Sequence, residues 1–277
     1  MPGFVWFLLA VVLAVFGLWV YLVCPRLFCR PKMAGITACD YAHRGLHNAE
    51  SNVFENTLPA FRAAVARGLG SELDVRLTKD GVPVVFHDST LKRLFGPVEK
   101  VCDMTLEKLR TFRFPDGAKI PTLEEVLKEV AGACPLLIEL KTENDVSRLG
   151  KAVTGLLDKY KGVYCVESFD PLALRWFRKH RPHVARGQLL TRFKPEDADV
   201  PRPLFFAAEN LLSGFLSRPD FIAYDWLHRQ NFSLRFAKKL FRFPEFNWTV
   251  KDRTTYSKLK KDGVLCIFED FIPRNSK

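Results

Sequence analysis

"SELDVRLTKDGVPVVFHD", residues 71–88, opens with strict alternation of polar and apolar side chains, the period of a strand whose two faces differ. Asp80-Gly81 then separates it from a second extended run, Val82–His87, which signals a hairpin. Read as a two-residue turn, Asp80-Gly81 sets Asp74 opposite His87. Glu72 and Asp74 lie two apart, hence on one strand face about 7 Å apart. Two readings are open: a solvated face, or a buried face where a cation or a base separates the carboxylates.

Outward from this hairpin, apolar runs alternate with helical patterns. Ile36–Ala42 reads as a strand, and Leu58–Arg67 as a helix capped by Asn56 or Thr57 and stopped by Gly68. Residues 88–120 carry no clean strand period and read as an insertion with a short helix near Thr105–Thr111. Then follow a helix at Thr122–Ala131, a strand at 135–141, a helix at Asp145–Lys159, the strand "VYCVESF" and a helix at Pro171–His180. Later strands are predicted at Gly187–Leu190, Phe221–Trp226, Phe246–Val250 and Val264–Phe268, with helices near Ser233–Phe241 and Thr254–Lys261. Strand–helix alternation without internal repeats predicts one α/β unit, an irregular TIM (β/α)8 barrel with a small inserted subdomain. A doubly wound sheet would call for a glycine-rich loop after its first strand, which this chain lacks.

Polar residues inside strands are the informative ones, because burying an unpaired charge is costly. "LLIELKT" puts Glu139 and Lys141 on one face of an otherwise apolar strand. In a barrel, His43, Arg44, Glu72, Asp74, Glu139 and Lys141 converge on one rim. Three carboxylates offer hard oxygens suited to Mg²⁺ or Ca²⁺. Two histidines, His43 and His87, can divide base and acid duties, while Arg44 and Lys141 suit an anionic substrate. That inventory fits cation-assisted cleavage of a phosphate diester.

Composition frames the partners. The 277 residues carry a formal charge of +11, which favours anionic surroundings, yet no nucleic-acid-binding motif or block of like charge is present. Seven cysteines, odd in number and without CxxC spacing, read as reduced thiols. Phe4–Val23 is free of charge and, at about 1.5 Å per residue, matches a hydrocarbon core of about 30 Å. It lacks the basic start and small-residue cleavage site of a signal peptide, so it reads as a transmembrane anchor. Arg26, Arg30 and Lys32 follow it, which places the barrel on the cytoplasmic side of a single-pass protein. The organisation expected is an anchor at 1–24, a basic linker at 25–35 and a barrel at 36–277.

The chain resembles the glycerophosphodiester phosphodiesterase family through "HRG" at 43–45, "ENT" at 55–57, "ELDVRLTKDGVPVVFHD" at 72–88 and "IELK" at 138–141. "IPTLEEVL", "ESFDPLALRWFRKHRP" and "NWTVKD" echo it further, so the resemblance runs from about residue 38 to 273. It implies a TIM barrel, catalytic roles for His43 and His87, metal ligation by Glu72, Asp74 and Glu139, and phosphate contacts from Arg44 and Lys141. It also implies that Gly45 lets its loop approach substrate. Phe54 departs from the family's proline, and Leu265 from an aspartate, though Asp270 is kept. Glycerophosphodiesters are the expected substrates. Lysophospholipids cleaved at the membrane surface are an alternative, and a non-catalytic tethered barrel would have lost one of these residues.

Overall fold

The computed structural model describes residues 2–143, 145–192 and 202–273, so the last four positions of the expected barrel domain lie outside the described residues. A single apolar helix, α1 (Pro2–Val23), comes first. The strands are β1 (Tyr41–Ala42), β2 (Gly70–Leu77), β3 (Pro83–Val85), β4 (Leu136–Leu140), β5 (Tyr164–Ser168), β6 (Arg186–Leu190), β7 (Phe221–Asp225), β8 (Glu245–Val250) and β9 (Leu265–Phe268). All but β3 are parallel. Hydrogen bonding runs β1-β9-β8-β7-β6-β5-β4-β2 and returns from β2 to β1, closing an eight-stranded barrel among the described residues. The helices are α2 (Leu58–Val65), α3 (Lys92–Phe95), α4 (Leu106–Leu109), α5 (Leu123–Val130), α6 (Val146–Leu157), α7 (Pro171–His180), α8 (Arg202–Glu209), α9 (Gly214–Ser217), α10 (Phe232–Phe241) and α11 (Arg253–Lys261).

Period-two alternation sorts the strand residues into two cores. Leu73, Val75, Ile138 and Val166 point outward against Phe61, Val126, Leu149 and Phe177 of the helical layer. Tyr41, Leu137, Cys165, Phe221 and Phe246 point inward and fill the barrel. Helix starts are fixed by side chains that satisfy orphan amides: Thr122 and Glu125 form a reciprocal capping box, and Asp145, Asp170, Asn231 and Asp252 cap α6, α7, α10 and α11.

Three expectations are corrected. The first strand shrinks to Tyr41–Ala42, because the Ile36 and Thr37 amides both turn back to the Met33 carbonyl. The hairpin turn is one residue longer than read: Val75 pairs with Val85, Arg76 with Val84, and Thr78 bonds to Val82 across Lys79-Asp80-Gly81. Gly81, at φ +83°, supplies the left-handed residue that a three-residue loop requires. Asp74 therefore faces Phe86, whose amide bonds to its carbonyl, and His87 lies beyond the strand. Third, α3, α8 and α9 form where no helix is predicted; α3 and α9 are single turns, too short to leave a period.

The stretch after β3 builds a small core of its own from Phe86, Leu91, Val101, Leu109, Phe114 and Ile120. Phe54 stacks on Phe114 with ring centroids 5.3 Å apart, so the residue that departs from proline packs against this insertion.

Candidate active site

Active sites of (β/α)8 barrels lie at the carboxyl-terminal ends of the strands. Here that end is a layer of acids. Strand register sets Asp74 beside Glu139 and Glu139 beside Glu167, all buried and inward-facing, with apolar Leu137 and Cys165 one layer below. Glu72 joins them: ligand oxygens of Glu72, Asp74 and Glu139 lie within 4.8 Å of one another. Lys141, just past β4, reaches back to Glu139 Oε1 at 2.7 Å and Asp74 Oδ1 at 3.1 Å.

The loop after β1 adds the next groups. Arg44 takes a left-handed backbone (φ +55°), which turns its amide onto Glu72 Oε2 at 2.9 Å. Its guanidinium lies 2.8 Å from Glu55 and 3.5 Å from Asp74. Asn56 donates to Asp74 Oδ2 at 2.8 Å, so the Glu55-Asn56 pair serves as a positioning element for both. Gly45 (φ +77°) presses against α2, not toward the pocket: a Cβ there would lie 2.9 Å from that of Ala60. That corrects the role expected for it.

Each histidine has a carboxylate behind it. His43 Nδ1 is 2.5 Å from Glu269 Oε2, across 226 residues of sequence, and His87 Nδ1 is 2.6 Å from Asp88 Oδ1. Arg93 of α3 holds Asp88 at 2.7 Å and Glu55 at 2.6 Å, tying the insertion to both partners. His43, Arg44, Glu72, His87, Glu139, Lys141 and Glu167 line one cavity of about 90 Å³, walled by Phe169 and Trp248 in edge-to-face contact.

Burial sets the charge states. It pushes Glu72 well above the usual carboxylate range, reinforced by Asp74 and Glu139. Burial likewise raises Glu139 to about 7 against the pull of Lys141, and Glu167 well above its ordinary value. For Asp74 burial acts upward too, but Lys141, His87 and Arg44 outweigh it and hold the acid low. Lys141 stays charged, since Glu139 and Asp74 outweigh the cost of its burial. Burial lowers His87 to about 4, with Asp74 opposing and Lys141 adding to the fall. It lowers His43 also, against its bond to Glu269. Burial thus works against the imidazolium at both sites, and a carboxylate works for it at each.

All seven residues singled out in the sequence meet in this cavity or its acid layer. Several partners escaped that reading. Glu167 carries the same signal as Glu139, a lone acid at an inward position of an apolar strand, and its Oε2 has no hydrogen-bond partner. Glu269 follows β9 in "IFED" and has no local pattern that ties it to His43.

An (β/α)8 barrel with a cation-compatible acid cluster and two carboxylate-backed histidines at its carboxyl rim is the arrangement of a barrel hydrolase. The chain belongs to the Glycerophosphoryl diester phosphodiesterase family, whose family model matches residues 43–274. It is 30% identical over 250 residues to the candidate glycerophosphodiester phosphodiesterase YhdW of Bacillus subtilis, covering 85% of this chain and 97% of that protein. Human glycerophosphodiester phosphodiesterase 1 is 42% identical over 100 residues, 32% of this chain and 29% of that one. Among solved structures, the Thermotoga maritima glycerophosphodiester phosphodiesterase superposes with TM-score 0.63 at 29% identity, covering 84% and 94% of the two chains. An Oleispira antarctica phosphodiesterase solved with the product sn-glycerol-3-phosphate shares the fold at TM-score 0.67 and 23% identity, over 83% and 92%.

Proposed function

We propose that the chain hydrolyses glycerophosphodiesters to glycerol 3-phosphate and an alcohol, with His43 and His87 as the acid–base pair. The observation that carries this reading is the shared cavity in which two histidines face buried carboxylates, an arginine and a lysine. The donor set fits a divalent cation: three buried carboxylates of hard oxygen raise one another's affinity for a proton, and a cation would relieve that repulsion. Glu72, Asp74 and Glu139 would hold it, as Mg²⁺ or Ca²⁺. When bound, it supplies charge neutralisation at the phosphate.

The protein's own groups do the rest. Arg44 and Lys141 orient the phosphate and offset its charge. A bond from Nδ1–H to Glu269 or Asp88 leaves Nε2 of each histidine to face the substrate. One histidine, neutral, takes a proton at Nε2 from the attacking hydroxyl, of water or of the glycerol 2-position; the other enters the step as the imidazolium, its charge offset by its carboxylate partner, and delivers its Nε2 proton to the leaving alcohol. Release of choline from glycerophosphocholine by the purified protein, with Mg²⁺, Ca²⁺ or EDTA present, tests this. Turnover lost in EDTA and in His43→Ala supports it, and no turnover with either cation overturns it.

A second reading, cleavage of lysophospholipids at a membrane, is favoured by Gly3–Val23, which is long and apolar enough to cross a bilayer. On that reading α1 is a single-pass anchor and the barrel is cytoplasmic, as Arg26, Arg30 and Lys32 favour.

A further inference from the structure

The site mouth and the free part of α1 point the same way. The carboxyl-terminal end of α1 docks at the strand-start side of the barrel: Arg218, which precedes β7, donates to the carbonyls of Tyr21 (2.9 Å) and Cys24 (2.8 Å). Arg26 pairs with Asp220 at 3.2 Å and donates to Pro182 at 2.8 Å, on the same side. One to two turns earlier, Trp19 and Phe16 both pack on Phe236, midway along α10. Because α10 starts at the strand-end side, α1 climbs the barrel flank toward the mouth as it is followed back to its N-terminus. Residues 3–18 are exposed.

An apolar rim lies at that same end. Leu227, two residues past β7, is 63% exposed, and Phe232, first in α10, is 79% exposed. Asn231 and Ser233 bond to the backbone at Glu209 and Asn210, which ties α8 to this corner. It adds Leu204 at 57% and Phe206 at 63% exposure. Exposed Arg235 follows one turn along α10.

We propose that this rim dips into the bilayer that α1 crosses, so that the catalytic mouth faces the lipid surface. The inference rests on the anchored reading of α1. Its occupant is set by continuity: the rim adjoins the exposed span, and large aromatics with a nearby arginine suit the boundary between headgroups and acyl chains. Length agrees. The exposed part of α1, residues 3–18, runs about 24 Å, short of a hydrocarbon core of about 30 Å, and interfacial elements immerse by about 5–10 Å. The docked flank makes up the difference.

The test uses the full chain in phosphatidylcholine–phosphatidylglycerol vesicles doped with a phosphatidylcholine bearing a diazirine in its acyl chain. After irradiation, adducts are mapped by mass spectrometry. The expected result is adducts in α1 and in peptides covering 203–210 and 226–236. Adducts confined to α1, or extending instead to the strand-start loops at 131–135 and 159–163, would overturn the proposal. Absence of adducts from α1 itself would overturn the anchored reading, and the proposal with it. In the double variant Phe206→Glu, Phe232→Glu, rim adducts fall by about tenfold while hydrolysis of soluble glycerophosphocholine is unchanged. Undiminished rim adducts in that variant would also refute it.

Discussion

Replacing Glu269 by glutamine removes one negative charge 2.5 Å from His43 Nδ1 and leaves the side chain's shape intact. Both groups are largely buried, so the loss is poorly screened by water. A hydrogen bond to a charged group is worth about 1.5–3 kcal/mol, and one pKa unit corresponds to about 1.4 kcal/mol. Glutamine still accepts from Nδ1–H, so the smaller figure applies, a fall of about one unit in the His43 pKa. The sign does not depend on its role. Without Glu269 the imidazolium is less stable, so the inflection that His43 contributes to the pH profile of kcat/KM moves to lower pH, as base or as acid. As base, His43 also loses the counter-charge to the imidazolium that forms in the transition state, and the rate at the optimum then drops by about tenfold or more. The assay is kcat/KM for glycerophosphocholine between pH 4 and 9 at saturating divalent cation. Unmoved inflections with a rate within about twofold of the parent would refute the claim that Glu269 positions and charges His43.

Cation binding should also be visible without turnover: Mg²⁺ or Ca²⁺ at about a hundredfold over Kd adds about 2.7 kcal/mol, or roughly 5–10 °C in Tm, and Asp74→Asn should abolish that shift in differential scanning fluorimetry. Arg93→Ala should slow kcat by about tenfold, since Asp88 and Glu55 lose their shared clamp, while urea unfolding changes by less than about 1 kcal/mol at this half-exposed side chain. Gly45→Ala combines a left-handed backbone with a contact on Ala60, and should cost about 2–4 kcal/mol in urea unfolding. Leu73→Ala should cost about 2–5 kcal/mol by the same measurement, from a fully buried site against the helical layer.

The barrel was legible because its signals are local. Alternation in β2 and β4 and caps such as Thr122 and Asp170 are read from neighbours in sequence. The acid cluster was legible for the same reason, since period two alone aims Glu72, Asp74 and Glu139 to one face. What escaped is set by distance or by turn chemistry. Asp80-Gly81 fits two-residue and three-residue loops equally, and only the ladder, with Thr78 bonded to Val82, decides between them. His87 reaches the cavity all the same, because β3 ends at Val85 and Arg76 draws the His87 carbonyl to 2.9 Å. Ile36 to Asp40 is apolar enough for a strand, yet the Asp40 carboxylate is claimed by Lys260, Tyr256 and the Cys266 amide. Glu269 meets His43 only once the barrel has closed.

That closure joins the first strand of the barrel to its last. His43 follows β1, a two-residue stave, and its partner Glu269 follows β9, with β1 bonded between β9 and β2. A ribosome working from the N-terminus therefore completes the acid layer of β2, β4 and β5 long before the His43–Glu269 couple can exist. The seam is the last joint to form during synthesis and, at two residues, the shortest to hold. A chain released before residue 269 carries the carboxylates and both imidazoles but not that couple, so the pairing that supports His43 arrives only once the last strand of the barrel has been made.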